Sequence, residues 1–223
     1  LHIHSGSDFL DPDVFLQGAQ ILFEAAAHFP DLNFLDFGSG FKVAYQNGDV
    51  VTPIHTLGKR LSEAVNAFNA IRSKPVEIWF EPGKFLVSEA GLLVTTANLV
   101  KITPSSTFVF VDSGLNHLIR PMMYDAYHHI ENISHPEGEE KIYNVVGYIC
   151  ETDTFGYERP LHEVREGDLL VIRNAGAYGY SMSSNYNSRP RPAEVLLYKG
   201  KSHLIRRRET LEDLLGNQIL AEI

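Results

Sequence analysis

Apolar residues in the first third of the chain alternate between two spacings. Val14, Phe15, Gly18, Ala19, Ile21, Leu22, Ala25 and Ala26 recur every three or four positions, the period of one helical face. Asp11 before them can cap and Pro12 suits a first turn, so a helix is predicted from Pro12 to Phe29, stopped by Pro30. A second amphipathic helix is predicted from Ile54, Leu57, Leu61, Ala64, Val65, Phe68 and Ile71, with Thr52 as cap and Pro53 at its start. Residues 1–4, 33–37 and 76–80 are short apolar runs that read as strands. Strands alternating with helices of this length specify βαβ units and a parallel sheet. Three strands and two helices cannot close a barrel and leave open edges. This region is therefore expected to be a piece of a larger α/β domain, or to depend on another chain. The opening Leu1-His2-Ile3-His4, with no initiating Met, reads as the inside of a strand and carries the same expectation.

Beyond residue 90 the helical period disappears. Segments 92–103, 107–112, 141–149, 168–174 and 193–198 are rich in β-branched and aromatic residues, with turns such as Glu166-Gly167-Asp168 between them. Residues 136–140 read as a polar hairpin or loop. The expected organisation is α/β over residues 1–90 and all-β over residues 91–223.

Composition narrows the function classes. Hydrophobic residues make up 44% and charged residues 21% of 223 positions, ordinary values for a soluble globular protein. No apolar run has the length of a membrane span, and no basic-then-apolar leader opens the chain. A net charge of −9 argues against nucleic acid as the main partner. Arg206-Arg207-Arg208 accordingly reads as a solvated strand end. The single cysteine excludes an internal disulfide and fits a cytoplasmic, reducing compartment.

The C-terminal ends of the three early strands carry marked residues: His4 with Ser7, then the 38–40 loop, then Glu81 to Lys84. Parallel α/β folds bind ligands at that end of the sheet. Small residues there let backbone N–H groups approach an anion, which makes Ser7 and Gly38-Ser39-Gly40 a candidate phosphate cradle. One glycine loop alone is most often a turn; three marked strand ends in succession point further. The β region carries four polar clusters: 112–121 continuing to Tyr124, the pair Cys150-Glu151, Gly176-Ala177-Tyr178, and 183–187. A single cysteine is usually a buried small hydrophobe, yet an acid beside it is not what packing would select. Arg120 can grip a carboxylate with two prongs and Glu151 can hold an ammonium group. The bland alternative makes Arg120 a surface charge and the tyrosines strand packing. A zwitterionic ligand would need both kinds of group. No metal-ligand set is expected.

Together these runs resemble the diaminopimelate decarboxylases, pyridoxal-phosphate enzymes of the alanine-racemase-like class. The matching runs are HIHSGS at 2–7, DFGSGF at 36–41, EPGKF at 81–85, DSGLNHLIRPMMYDAYH at 112–128, VVGYICETD at 145–153 and GAYGYSMSSNYNSRPRPAEV at 176–195. The resemblance covers essentially the whole chain but only the C-terminal half or so of a family member. It implies the last part of a (β/α)8 TIM-type barrel over residues 1–90, followed by a β-sandwich or β-barrel-like domain. It further implies that His4 stacks on the cofactor ring and that Ser7, Gly38, Gly40 and Gly83 surround its phosphate with help from Tyr178. Glu81 would pair with the pyridine nitrogen, and Lys84 would lie near the phosphate or the substrate. Arg120, Tyr124, Glu151 and Tyr186, with Tyr178, would bind an amino-acid substrate, and Cys150 would give a proton to Cα across a homodimer interface with shared active sites.

The chain departs from the family pattern at Ser39, in place of a middle glycine, at Lys84, in place of arginine, and at Tyr148, in place of proline. The family's Schiff-base lysine belongs to the N-terminal barrel segment, and none of the lysines at 42, 59, 74, 84, 101, 141, 199 and 201 stands in a matching context. The expectation is a decarboxylase of diaminopimelate whose C-terminal part alone is inactive. The alternatives are a related decarboxylase of carboxynorspermidine, ornithine or arginine, and a non-catalytic homologue that binds a partner chain.

Overall fold

The computed structural model describes residues 1–221. The chain forms two compact units, Leu1–Gly91 and a second from Leu92 onward. In the first, β1 (Phe34–Asp36) and β2 (Glu77–Trp79) are parallel, with Leu35 opposite Ile78. Residues 1–4 make a single parallel bridge, His2 to Asp36, in place of the predicted strand, and a second bridge joins Phe9 to Phe41. The predicted helices form as α1 (Pro12–Ala26) and α2 (Ile54–Ala70). Asp11 caps α1 by accepting the Asp13 N–H at 2.8 Å, with Pro12 in the first turn. The helix ends before Phe29, because the residue ahead of Pro30 is pushed out of the helical region. Thr52 does not cap α2. Its hydroxyl donates to the Phe9 carbonyl and accepts the Lys42 N–H, tying two loops together. Phe23 of α1 stacks on Phe68 of α2 at 4.6 Å, over a core that includes Phe15, Leu22, Leu35, Phe37, Leu57 and Leu61. Burying each such side chain contributes about 1.5–3 kcal/mol. The short helix α3 (Lys84–Val87) follows β2.

The second unit is built on a six-stranded sheet. Its strands are β3 (Leu93–Ile102), β4 (Thr107–Val111), β5 (Ile130–Asn132), β6 (Glu140–Val146), β7 (Thr154–His162) and β8 (Leu169–Ile172), in the order β5-β8-β3-β4-β6-β7. Every ladder is antiparallel except β4–β6. The end strands β5 and β7 approach each other, so the sheet curls into a nearly closed barrel-like form. Its core holds Ala97, Val109, Val111, Tyr143, Val145, Phe155, Leu170 and Ile172. The helix α4 (Arg120–Tyr124) lies between β4 and β5 in the chain. A separate hairpin joins β9 (Glu194–Tyr198) to β10 (Lys201–Arg206) through Lys199 and Gly200. Both turn residues have positive φ, 50° and 73°, as tight two-residue hairpins require. The basic run behaves as a strand end. Arg206 pairs with Glu194, and Arg207 grips both oxygens of Asp213 in α5 (Leu211–Leu215).

His128 stabilises this unit only while neutral. It is fully buried, its Nδ1 lies 2.8 Å from the Arg173 carbonyl, and burial lowers its pKa from 6.5 to about 4. The native pKa lies below the unfolded one, so the unfolded chain binds more protons between the two values. Stability is fully present above about pH 6.5 and falls as pH drops towards about 4. The loss traceable to His128 is expected to reach about 3 kcal/mol at the acid end. His128→Gln should flatten this limb, which urea unfolding of the two proteins at pH 7 and near pH 4 will measure.

Candidate active site

Segment 1–9, β1 and β2 all run in one direction, so their C-terminal ends lie on one edge of the first unit. The loops there are knitted together. The Gly38 carbonyl accepts the Glu81 N–H at 2.8 Å, the Gly40 carbonyl accepts the Phe9 N–H at 2.9 Å, and Lys84 pairs with Asp8 at 2.6 Å. Gly38 and Gly40 have φ of +60° and +103°, which side-chain-bearing residues rarely adopt. A Cβ on Gly38 would strike the Ile3 carbonyl and the His4 side chain, so backbone meets backbone at this point. The Gly38 N–H donates to the Asp36 carboxylate at 2.8 Å. Glu81 is exposed, with His2 Nε2 3.2 Å from its Oε2. Ser7 and His4 are exposed on the first segment, and Gly83 precedes α3. The structure thus gathers His4, Gly38, Gly40, Glu81 and Lys84 at one edge. It adds His2, Asp36 and Asp8, to which the sequence assigned no role. His2 stands two residues from His4, a spacing that puts both on one face of an extended segment.

In the second unit β6 stops at Val146, and residues 147–153 form a tight loop rather than the continued strand predicted to 149. Cys150 is exposed. Its Sγ lies 3.4 Å from Glu151 Oε2 and 3.8 Å from Asn187 Nδ2. The Tyr186 hydroxyl donates to the other Glu151 oxygen. That bond holds the Glu151 carboxyl below its ordinary pKa and pushes the Tyr186 phenol up. Two clusters 35 residues apart in sequence therefore meet. Beside them, buried His117 has Nδ1 2.9 Å from Ser113 Oγ and Nε2 3.1 Å from the Pro190 carbonyl, with the Tyr148 hydroxyl 3.3 Å from the same nitrogen. Burial lowers its pKa, so it ties these loops as a neutral ring.

Arg120, the first residue of α4, is buried rather than a surface charge. Its guanidinium carbon lies 5.9 Å from the Tyr124 ring centroid and 5.8 Å from that of Tyr178, within the range of attraction between a cation and a ring. Tyr178 has φ +59°, a conformation that costs roughly 1–2 kcal/mol in a residue with a Cβ. Such strain persists only where surrounding structure imposes it, and here it sets the ring against the guanidinium.

Residues 35–176, more than half of the chain, match the family model for the pyridoxal-dependent decarboxylase C-terminal sheet domain. The chain belongs to the pyridoxal-dependent decarboxylases. Within that family it is 39% identical over 230 residues to the diaminopimelate decarboxylase of Methanothermobacter thermautotrophicus, covering 98% of this chain and 53% of the relative. It is 42% identical over 221 residues to that of Neisseria meningitidis serogroup A, covering 97% and 52%. A solved diaminopimelate decarboxylase from Helicobacter pylori, complexed with L-lysine, superposes with a TM-score of 0.85 at 36% identity, covering 96% of this chain and 53% of that one. The chain spans about half the length of the curated relatives it matches. Pyridoxal phosphate is the cofactor the family implies, and the first unit's strand ends fit it. A closely packed glycine loop and a hydroxyl suit a phosphate, an exposed carboxylate suits a ring nitrogen, and an imidazole suits a ring face.

Proposed function

We propose that this chain forms the C-terminal portion of an enzyme that decarboxylates meso-2,6-diaminopimelate to L-lysine and CO2. The observation that carries this reading is a pair of opposite grips. Arg120 is buried against two phenol rings, and Glu151 is favoured in its ionised form by Tyr186. A substrate with a second amino-acid group at its far end needs a cation for the distal carboxylate and an anion for the distal ammonium. Ornithine, arginine and carboxynorspermidine lack that distal carboxylate and would leave the grip of Arg120 unused.

Roles follow from the chemistry of each group. Ser7, the 38–40 loop and Gly83 would hold the cofactor phosphate with the help of Tyr178, and Lys84 would serve the phosphate or the substrate. His4 would cover a face of the ring, and Glu81 would keep a proton on the ring nitrogen. When bound, pyridoxal phosphate supplies an electron-withdrawing ring that takes up the electron pair released as CO2 leaves. Arg120, Tyr124 and Tyr186 orient the distal end together with Glu151. Cys150 delivers a proton to Cα in the partner protomer's site of a homodimer. In this reading residues 1–90 are the last part of a TIM-type barrel, residues 91–223 are the β domain, and the enzyme works in the cytoplasm. Among the described residues no helix is long and apolar enough to cross a membrane.

The test is CO2 release from diaminopimelate, ornithine, arginine and carboxynorspermidine with pyridoxal phosphate present. It compares the chain alone with the chain co-expressed with the part of the Neisseria relative that lies outside the match. No turnover is expected alone, and diaminopimelate should be the preferred substrate of the combined protein. Turnover by the chain alone, or a preference for a substrate without a distal carboxylate, would overturn the reading. A combined protein that assembles but never turns over would favour a partner-binding homologue.

A further inference from the structure

Asp153 is 6% exposed and lies outside any strand or helix. Its carboxylate reaches two separate segments: Oδ1 accepts the Leu115 N–H at 2.7 Å and Oδ2 accepts the Ile149 N–H at 2.9 Å. Its own carbonyl accepts the Gly147 N–H at 2.8 Å, and the Tyr148 N–H reaches the Ser113 carbonyl at 3.2 Å. Glycines stand on both sides of the carboxylate. A Cβ on Gly114 or Gly147 would collide with Asp153 Oδ2, so the two segments close on the acid as bare backbone. Burial pushes the Asp153 pKa up while the two N–H bonds pull it down, so the ionised form depends on both donors. Residues 150–152 are thus fastened at their two ends through one side chain, and the same side chain fastens the segment that leads to Arg120.

We infer that Asp153 is a positioning residue that sets Cys150 and Glu151 against each other and against the Arg120 segment. Asparagine cannot replace it, because it offers one oxygen to two donors and turns an NH2 group towards the other N–H. The inference deepens the decarboxylase reading, in which Cys150 and Glu151 meet the substrate. Its test needs neither cofactor nor turnover, so the two can fail separately.

The test is the rate of iodoacetamide alkylation of Cys150, the sole cysteine, in the unsubstituted chain, in D153N, in E151Q and in the double variant. In the unsubstituted chain the Glu151 carboxylate accepts the bond from Sγ at 3.4 Å and keeps the sulfur engaged beside an anion, so E151Q should accelerate alkylation roughly threefold or more. D153N should accelerate it by itself, because the loop no longer holds the carboxylate at the sulfur. Adding E151Q to D153N should then change the rate less than about 1.5-fold, the non-additivity expected of coupled residues. Independent, multiplying effects, or no effect of D153N, would overturn the inference. If D153N does not fold, amide exchange in the unsubstituted chain decides. The Leu115 and Ile149 N–H groups should be slowed at least about 100-fold although they lie outside the sheet ladders, and exchange at the free-peptide rate would overturn it.

Discussion

Arg120→Met is expected to lower kcat/KM for diaminopimelate by about 10²- to 10³-fold in the combined protein, chiefly through KM. The side chain is 9% exposed and faces two phenol rings, so methionine, of similar length and flexibility, keeps most of the packing. What disappears is the fork of N–H donors for the distal carboxylate. A charge-assisted pair contributes about 1.5–3 kcal/mol, and leaving the carboxylate desolvated without a partner costs more. About 1.4 kcal/mol per tenfold converts this to the stated range. The distal end does not react, so its binding is the same before and during bond breaking and affects KM more than kcat. Arg120→Lys keeps the charge without the fork and should fall between the two proteins. Ornithine, with no distal carboxylate, supplies the control. Its slower turnover should hardly change in Arg120→Met, whereas equal losses on both substrates would mean that Arg120 serves the fold alone.

The features legible in the sequence were those with a period or a local cap. The apolar stripe from Phe15 to Ala26 gave α1, and β-branched runs gave β3, β4, β6, β8 and β9. The strand β7 escaped because Gly156 and Pro160 interrupt it. Proline is tolerated there because β7 is an end strand that needs no N–H on its outer side. The strand β5 has three residues, too few for any alternation to show. For the site, the chemistry of Cys150 and Glu151 was visible but their meeting with Tyr186 and Asn187 was not, since contacts across such separations leave no local pattern. Asp153 and His117 sit in polar runs where nothing local marks burial, while His2 and Asp36 sit in short apolar runs that read only as strands. Asp153 becomes conspicuous only when Gly114 and Gly147 are seen to close on the same carboxylate.

Phe155→Ala is expected to destabilise the second unit by about 3–5 kcal/mol, a large share of the 5–15 kcal/mol that holds a typical domain folded. Phe155 is 1% exposed and has the largest side chain among those fully buried. It lies two residues after Asp153, at the start of β7, in the core with Val109, Val111, Val145 and Leu170. Alanine removes the transfer energy of the ring and leaves a cavity that a nearly closed sheet cannot collapse to fill. For a unit of this size the loss corresponds to a fall in melting temperature on the order of 10–20 °C. Backbone circular dichroism is the right probe, because the only tryptophan, Trp79, lies in the first unit, stacked on Phe34 at 3.9 Å. Tyr157, 60% exposed on the same strand, provides the comparison, and its alanine variant should stay within about 0.5 kcal/mol of the parent. Phe155→Leu retains much of the volume and should cost less than half as much as alanine, roughly 1–2 kcal/mol. A leucine loss equal to the alanine loss would show that ring shape, rather than filled volume, holds the start of β7 in this core.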